Sequence, residues 1–161
     1  MAGEFQLTVQ RLCEVLRYPT GAGTRILREL GLNTVEEDSV TLAHNASVLA
    51  LYVFCMRKAS LGELAAFSLC RQVHASDALA TQLTKVQSAM ERGVKGEGNP
   101  MLKPMPVTLY EGRYATWEAS TVFDVETGRQ LEELPSPPCF YIAMDMTASF
   151  IKLFRAARDK I

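Results

Sequence analysis

The spacing of apolar residues changes twice along the chain and divides it into three parts. Up to residue 93 apolar residues recur every three or four positions, as in amphipathic helices. Over 107–134 they alternate, as in half-buried strands, and over 139–159 the helical spacing returns. This pattern predicts one α+β domain over 1–161, predominantly α-helical, with five to six helices and a small three-stranded antiparallel meander before a C-terminal helix.

The helical part, 1–93, contains a segment that is apolar almost all round, from Val40 to Met56, and this predicts a central buried helix. The shorter helices are predicted from their start and stop signals. Thr24 is expected to cap the second helix and Gly31 to close it. Helix starts are also expected at Thr34, at Ser60 and at Ser76, the first two as capping boxes with Glu37 and Glu63.

Glycine and proline residues divide the second half of the chain. The segment 94–106 has no periodic pattern and is predicted to be a long loop, mobile or dependent on a partner. Strands are predicted over 107–111, 113–125 and 129–134, with turns centred on Glu111-Gly112 and Thr127-Gly128. Three prolines between 135 and 138 then end the strand pairing.

Composition and charge limit the class of protein. Hydrophobic residues make up 48% of the 161 positions, and the net charge is -1, so no overall field attracts phosphate or anionic lipid. The longest apolar run is shorter than a membrane-spanning helix, and no signal segment is recognised at the N-terminus. Cys13, Cys55, Cys70 and Cys139 are interpreted as free thiols. A soluble, cytoplasmic protein without a membrane partner is therefore expected.

Few residues suggest chemistry. The glycines of 20–25 lack the lysine of a phosphate-binding loop and predict a plain turn between helices. Cys70 and His74 share a helix face, but no second pair of metal ligands is evident. Asp145 is interpreted as part of a solvated helix face. No catalytic residue, metal or cofactor is predicted, and an enzyme is the less favoured interpretation.

Basic residues supply the candidates for phosphate or nucleic-acid contacts. Several of them stand at helix C-termini, where cations are stabilising without any ligand. The candidates are Arg25, Arg57, Lys58, Arg92, Lys95, Lys103, Lys152, Arg155 and Arg158.

The predicted function is a non-catalytic protein-interaction or self-assembly protein, because the chain offers a helical core and apolar edges without a chemical constellation. Its expected partner is protein, chiefly itself as a homo-oligomer. The expected docking stripe lies on the C-terminal helix and consists of Phe140, Met144, Ile151 and Phe154. The alternatives are a nucleic-acid-binding structural protein, such as a viral nucleocapsid or coat subunit, and a small cytosolic enzyme.

Overall fold

The computed structural model describes residues 9–32, 39–94, 102–117 and 121–158. Within these ranges the chain forms six helices and one five-stranded antiparallel sheet. The helices are α1 Val9–Leu16, α2 Thr20–Glu29, α3 Ser39–Arg57, α4 Glu63–His74, α5 Asp77–Val94 and α6 Met146–Arg158. The strands are β1 Pro106–Tyr110, β2 Tyr114–Thr116, β3 Val122–Asp124, β4 Arg129–Leu131 and β5 Tyr141–Asp145. The mixed α+β class is confirmed.

Helix α3 lies at the centre of the helical layer, as its sequence predicts. Its residues from Ser47 to Val53 are all buried, and α1, α2, α4, α5 and α6 all contact it. A helix can have apolar residues on nearly every side only when neighbours cover most of its circumference. The expected capping box at Thr34 lies outside the described residues.

Helix α2 begins earlier than the sequence predicts, and the expected cap at Thr24 is wrong. The helix starts at Thr20, so the glycines of 20–25 lie in its first turns and form no loop between helices. Gly23 is buried where a Cβ atom would come within 2.5 Å of the Cys13 Sγ and 3.3 Å of a Leu49 methyl group, so α2 packs closely on its neighbours. Gly31 closes the helix at φ 75°, as predicted.

The other two predicted helix starts differ in outcome. Ser76 caps α5, because its Oγ accepts a hydrogen bond from the Leu79 N–H at 3.2 Å. The capping box at Ser60 is wrong: Gly62 occupies the N-cap of α4 without a side-chain bond, and Ser60 has a positive φ of 53°.

The sheet has five strands, so the prediction of a three-stranded meander is wrong. Its order is β4-β3-β2-β1-β5. The predicted strand over 113–125 is two strands, β2 and β3, that pair antiparallel, with Ala115 opposite Phe123. Both residues are buried and lie on the same side of the sheet. The turn at Glu111-Gly112 is confirmed: both residues have positive φ, and the Arg113 N–H donates to the Tyr110 carbonyl.

The C-terminal segment is also two elements, and the prediction of one helix over 139–159 is wrong. Residues 141–145 form β5, which pairs antiparallel with β1, and α6 begins at the next residue. Phe140 and Met144 are four residues apart, a spacing that keeps two side chains on one side of either a helix or a strand. The predicted loop at 94–106 loses its two end residues to regular elements, because α5 includes Val94 and β1 begins at Pro106. Residues 102–105 form no helix or strand, and residues 95–101 lie outside the described ranges.

The central position of α3 leads to a prediction about stability. Leu51 is fully buried, whereas Leu64 in α4 is 87% exposed. We expect Leu51→Ala to lower the free energy of unfolding by about 2 to 5 kcal/mol, because the truncation leaves a cavity. The same truncation at Leu64 changes it by less than about 0.5 kcal/mol. Urea titrations of both variants measure the difference, and equal losses at the two positions would contradict the central role of α3.

Candidate functional site

Strand β5 forms one edge of the sheet and uses half of its backbone to pair with β1. Two hydrogen bonds flank the paired residues: the Glu111 N–H donates to the Phe140 carbonyl, and the Met146 N–H donates to the Met105 carbonyl. Together with the register, they show which backbone groups of β5 point toward β1. Ile142 and Met144 direct their N–H and C=O groups toward β1. Tyr141 and Ala143 direct theirs away from it, and within the described residues β5 has no neighbour on that side.

Both ends of β5 are held in place by side chains. At its start, the Glu111 Oε1 accepts a hydrogen bond from the Cys139 N–H at 2.8 Å. At its end, the Asp145 Oδ1 accepts from the N–H groups of Met105 and Thr147, each at 3.0 Å. Asp145 thus caps α6 and also fixes the residue before β1, so its interpretation as part of a solvated helix face is wrong. The edge is a preorganised, extended strand.

Two exposed aromatic residues lie at the start of this edge. Phe140 is 64% exposed and Tyr141 is 67% exposed, and both are among the few large apolar side chains that the described part of the chain leaves in solvent. The Tyr141 ring lies 5.9 Å from the ring of Tyr110 on the adjacent strand. An exposed apolar group beside unpaired backbone is typical of a surface that binds another chain.

The predicted docking stripe is not a stripe on one helix. Phe140 precedes β5 and Met144 lies within it, whereas Ile151 lies on α6, half-buried against the core. The side chain of Phe154 lies outside the described part. The helical spacing that linked the four residues therefore does not describe their arrangement, and of the three described side chains only that of Phe140 is an exposed candidate contact. Sequence signals for a strand were present, because Phe140, Tyr141 and Ile142 are consecutive residues that favour strands.

Two of the nine candidate basic residues serve the fold. Arg57 donates to the carbonyls of Leu16 and Arg17 at the end of α1, at 3.0 and 2.6 Å, and its guanidinium lies over the Tyr18 ring. Arg25 pairs with Glu63 at 3.3 Å. Both arginines remain exposed, as do the candidates Lys58, Arg92, Lys103, Lys152 and Arg155. Lys95 lies outside the described residues, and so does the side chain of Arg158.

The residues considered for metal or thiol chemistry are engaged in the helical core. The Cys70 thiol is fully buried, and burial raises its pKa, which opposes formation of a reactive thiolate. His74 is half-buried, and burial lowers its pKa. Within the described ranges no three His, Cys, Asp or Glu side chains group as metal ligands. Cys13 and Cys55 are also buried free thiols, whereas Cys139 is an exposed one.

One small pocket lies between the sheet and the junction of α4 with α5. Its volume is about 170 Å³, and Trp117 and Phe123 form its aromatic part, beside the amides of Gln72 and Gln130. This volume is below the roughly 300 to 1,000 Å³ of typical ligand sites, and among the described residues no charged side chain lines it. The pocket offers little support for the enzyme alternative.

The comparisons with known proteins add no relative. No protein-family model, no curated protein and no solved structure matches the chain. In the ranges that the structure describes, no helix is long and apolar enough to cross a bilayer.

The strongest charge cluster is in the sheet, and the sequence analysis missed it. Arg113 donates through Nε and Nη2 to both carboxylate oxygens of Asp124, at 3.3 and 3.1 Å, and Arg113 Nη1 lies 3.4 Å from Glu126. Asp124 is buried. Burial alone would raise its pKa, but the bonds from Arg113 and from the amides of Glu126 and Thr127 outweigh this and lower the pKa. The pair therefore holds the β3–β4 hairpin against β2.

The lowered pKa of Asp124 predicts how stability depends on pH. A group whose pKa is lower in the folded state adds stability above its unfolded pKa, here about 4, and loses it as pH falls through the folded value. Asp124→Asn should be less stable than the parent at pH 7 and should lose less stability between about pH 4 and pH 2. Denaturant titrations at several pH values measure this. Glu132→Gln, at an exposed position, is the control and should be as pH-dependent as the parent. If the stability of Asp124→Asn also falls with pH as steeply as that of the parent, the role of Asp124 is contradicted.

Proposed function

We propose that this chain is a non-catalytic protein-interaction protein that binds polypeptide by accepting an extended strand at the outer edge of β5. The observation that carries the proposal is the row of outward backbone groups at Tyr141 and Ala143, next to the exposed Phe140. In strand addition, main-chain hydrogen bonds supply affinity and alternate side chains supply specificity. Each outward residue presents a donor and an acceptor at fixed positions.

The contrast between the two edges of the sheet supports this choice. At the other edge, β4 is only three residues long, and it carries Arg129 and is followed by Glu132 and Glu133. Short strands and charges are the usual protection against unwanted pairing. β5 is five residues long and has no charged residue before its last position, Asp145. As far as the structure describes the chain, the β5 edge therefore lacks the usual protection that the β4 edge has.

The side chains at the edge indicate what kind of strand would fit. Ile142 and Met144 face the helices and are half-buried against the core, so one flank of each remains open toward an incoming strand. Tyr141 and Ala143 face the opposite side of the sheet. A suitable strand therefore carries apolar residues at alternate positions on the side of the helices. It requires no net charge.

The nucleic-acid alternative has weaker support in the same structure. Phosphate recognition depends on basic side chains that are free to contact the backbone of the nucleic acid. Arg25 and Arg57 are engaged within the fold, and the near-neutral chain supplies no general attraction. The small pocket beside Trp117, with no charged side chain among its described lining residues, gives the enzyme alternative little support.

A peptide with the sequence of residues 139–146, with serine in place of the cysteine and lysines added at both ends, tests the proposal. We expect it to bind the intact protein and to shift the NMR signals of the Tyr141 and Ala143 amides more than those of Val107 and Leu109. The reason is that the outward groups gain partners, whereas the β1 groups already have them.

The matched control is the same peptide with an N-methyl group on its alanine, which keeps every side chain but removes the central donor. It should bind clearly more weakly. Equal binding of the two peptides, or signal changes centred on the exposed Leu64 of α4, would show that strand addition at β5 is wrong.

A further inference from the structure

We infer that the strand accepted by this edge is β5 of a second copy of the chain, in an antiparallel pair whose two-fold axis passes through Ala143. This inference rests on the proposed function and specifies its partner. The resulting dimer has one continuous ten-stranded sheet, with the helices of both copies on the same side.

The outward backbone groups of β5 match their own copy in this arrangement. Ala143 of one chain and Ala143 of the other exchange a pair of hydrogen bonds across the axis. The outward N–H of Asp145 then meets the outward carbonyl of Tyr141 in the second copy, and symmetry repeats the bond. The Asp145 carbonyl is not needed, since it belongs to the first turn of α6.

The side chains are complementary in the same register. On the side of the helices, Ile142 lies opposite Met144 of the second copy, so two half-buried apolar side chains cover each other's open flanks. On the other side, the residue at the axis is Ala143, whose small side chain allows two identical residues to face each other without crowding. Phe140 comes beside the end of the neighbouring strand, where it loses contact with water.

Other symmetric registers use the edge less well. An axis through Tyr141 places Asp145 opposite residue 137, a proline that has no N–H to donate. It also sets two large tyrosine side chains face to face at the axis. An axis through Asp145 moves the pair into the start of α6, where the backbone is helical. An axis at Ala143 gives a partner to both outward groups of Ala143, to the outward carbonyl of Tyr141 and to the outward N–H of Asp145.

The association should be weak and dependent on concentration, because a single pair of edge strands buries less surface than a typical stable interface of about 1,600 Å². Sedimentation equilibrium of the intact chain should show a monomer–dimer equilibrium. Ala143→Pro removes the outward donor but no bond to β1, so it should abolish the dimer. Ala143→Ser keeps the donor, so this variant should still form the dimer. A parent that stays monomeric at millimolar concentration would overturn the inference.

Ala143→Lys provides a second test in case the proline variant does not fold. It keeps the backbone donor but places a charge at the axis, so two copies repel each other, and circular dichroism verifies that the helices are intact. A folded lysine variant that dimerises as strongly as the parent would exclude an axis at this residue.

The exposed thiol of Cys139 gives a direct measurement of the register, since the other three thiols are buried. Four residue steps separate it from Ala143 on each side of the axis, so the two Cys139 backbones should lie about 27 Å apart, at ~3.4 Å per residue. Pulsed electron paramagnetic resonance of spin-labelled dimer measures this separation. A value near 14 Å, expected for an axis at Tyr141, or near 41 Å, expected for an axis at Asp145, would refute the register.

The two tests separate failure of the partner from failure of the proposed function. If the peptide binds at β5 while the intact chain remains monomeric, the edge accepts an isolated strand of this sequence but not β5 held within a second folded copy. If the chain dimerises and Ala143→Pro and Ala143→Ser behave alike, the contact lies elsewhere on the surface. Either result excludes the β5 dimer.

Discussion

Strand β5 hydrogen-bonds to β1 along its whole length, and α6 begins at the residue that follows it. This pairing places α6 against α3 and α5 and thereby joins the sheet to the helical layer. Asp145 fixes the junction by accepting hydrogen bonds from both sides of it. Because β1 occupies one side of β5, the other side presents extended backbone whose hydrogen-bonding groups have no strand partner among the residues that the structure describes. The proposed binding surface therefore results from the position of β5 at the edge of the sheet, paired with β1 on one side.

Two arginines of the helical layer donate hydrogen bonds to backbone carbonyls at the ends of neighbouring helices. Arg57 satisfies carbonyls at the end of α1, which the helix cannot satisfy by itself, and Arg71 contacts the carbonyl of Glu29 at the end of α2 at 3.4 Å. Within the sheet, Arg113 neutralises the buried Asp124. Arg57, which the sequence offers as a possible phosphate contact, therefore holds two helices together, and Arg71 and Arg113 also join elements of the fold.

The sequence predicted those elements whose signals were local. Gly31 and Ser76 mark helix ends correctly, and the apolar run of α3 identified the buried helix, because capping and burial depend on residues a few positions apart. The edge strand β5 could not be predicted from such local signals. A spacing of four residues between Phe140 and Met144 fits both periods, and only pairing with β1, more than thirty residues earlier in the chain, decides between them. The same limit applied to the candidate site. Phe140 was predicted as a contact, but the outward direction of the Tyr141 and Ala143 backbone groups could not be predicted, because it depends on the pairing with β1.

Residue-resolved amide hydrogen exchange of the dilute protein measures whether β5 is an edge strand with an open outer side. The N–H groups of Ile142 and Met144 bond to β1 and should exchange slowly, whereas those of Tyr141 and Ala143 should exchange fast. Protection should therefore alternate along the strand. If instead protection is continuous through residues 142–145, as a helix over this segment requires, or if Ala143 is as protected as Ile142 at the lowest concentration measured, the account is contradicted.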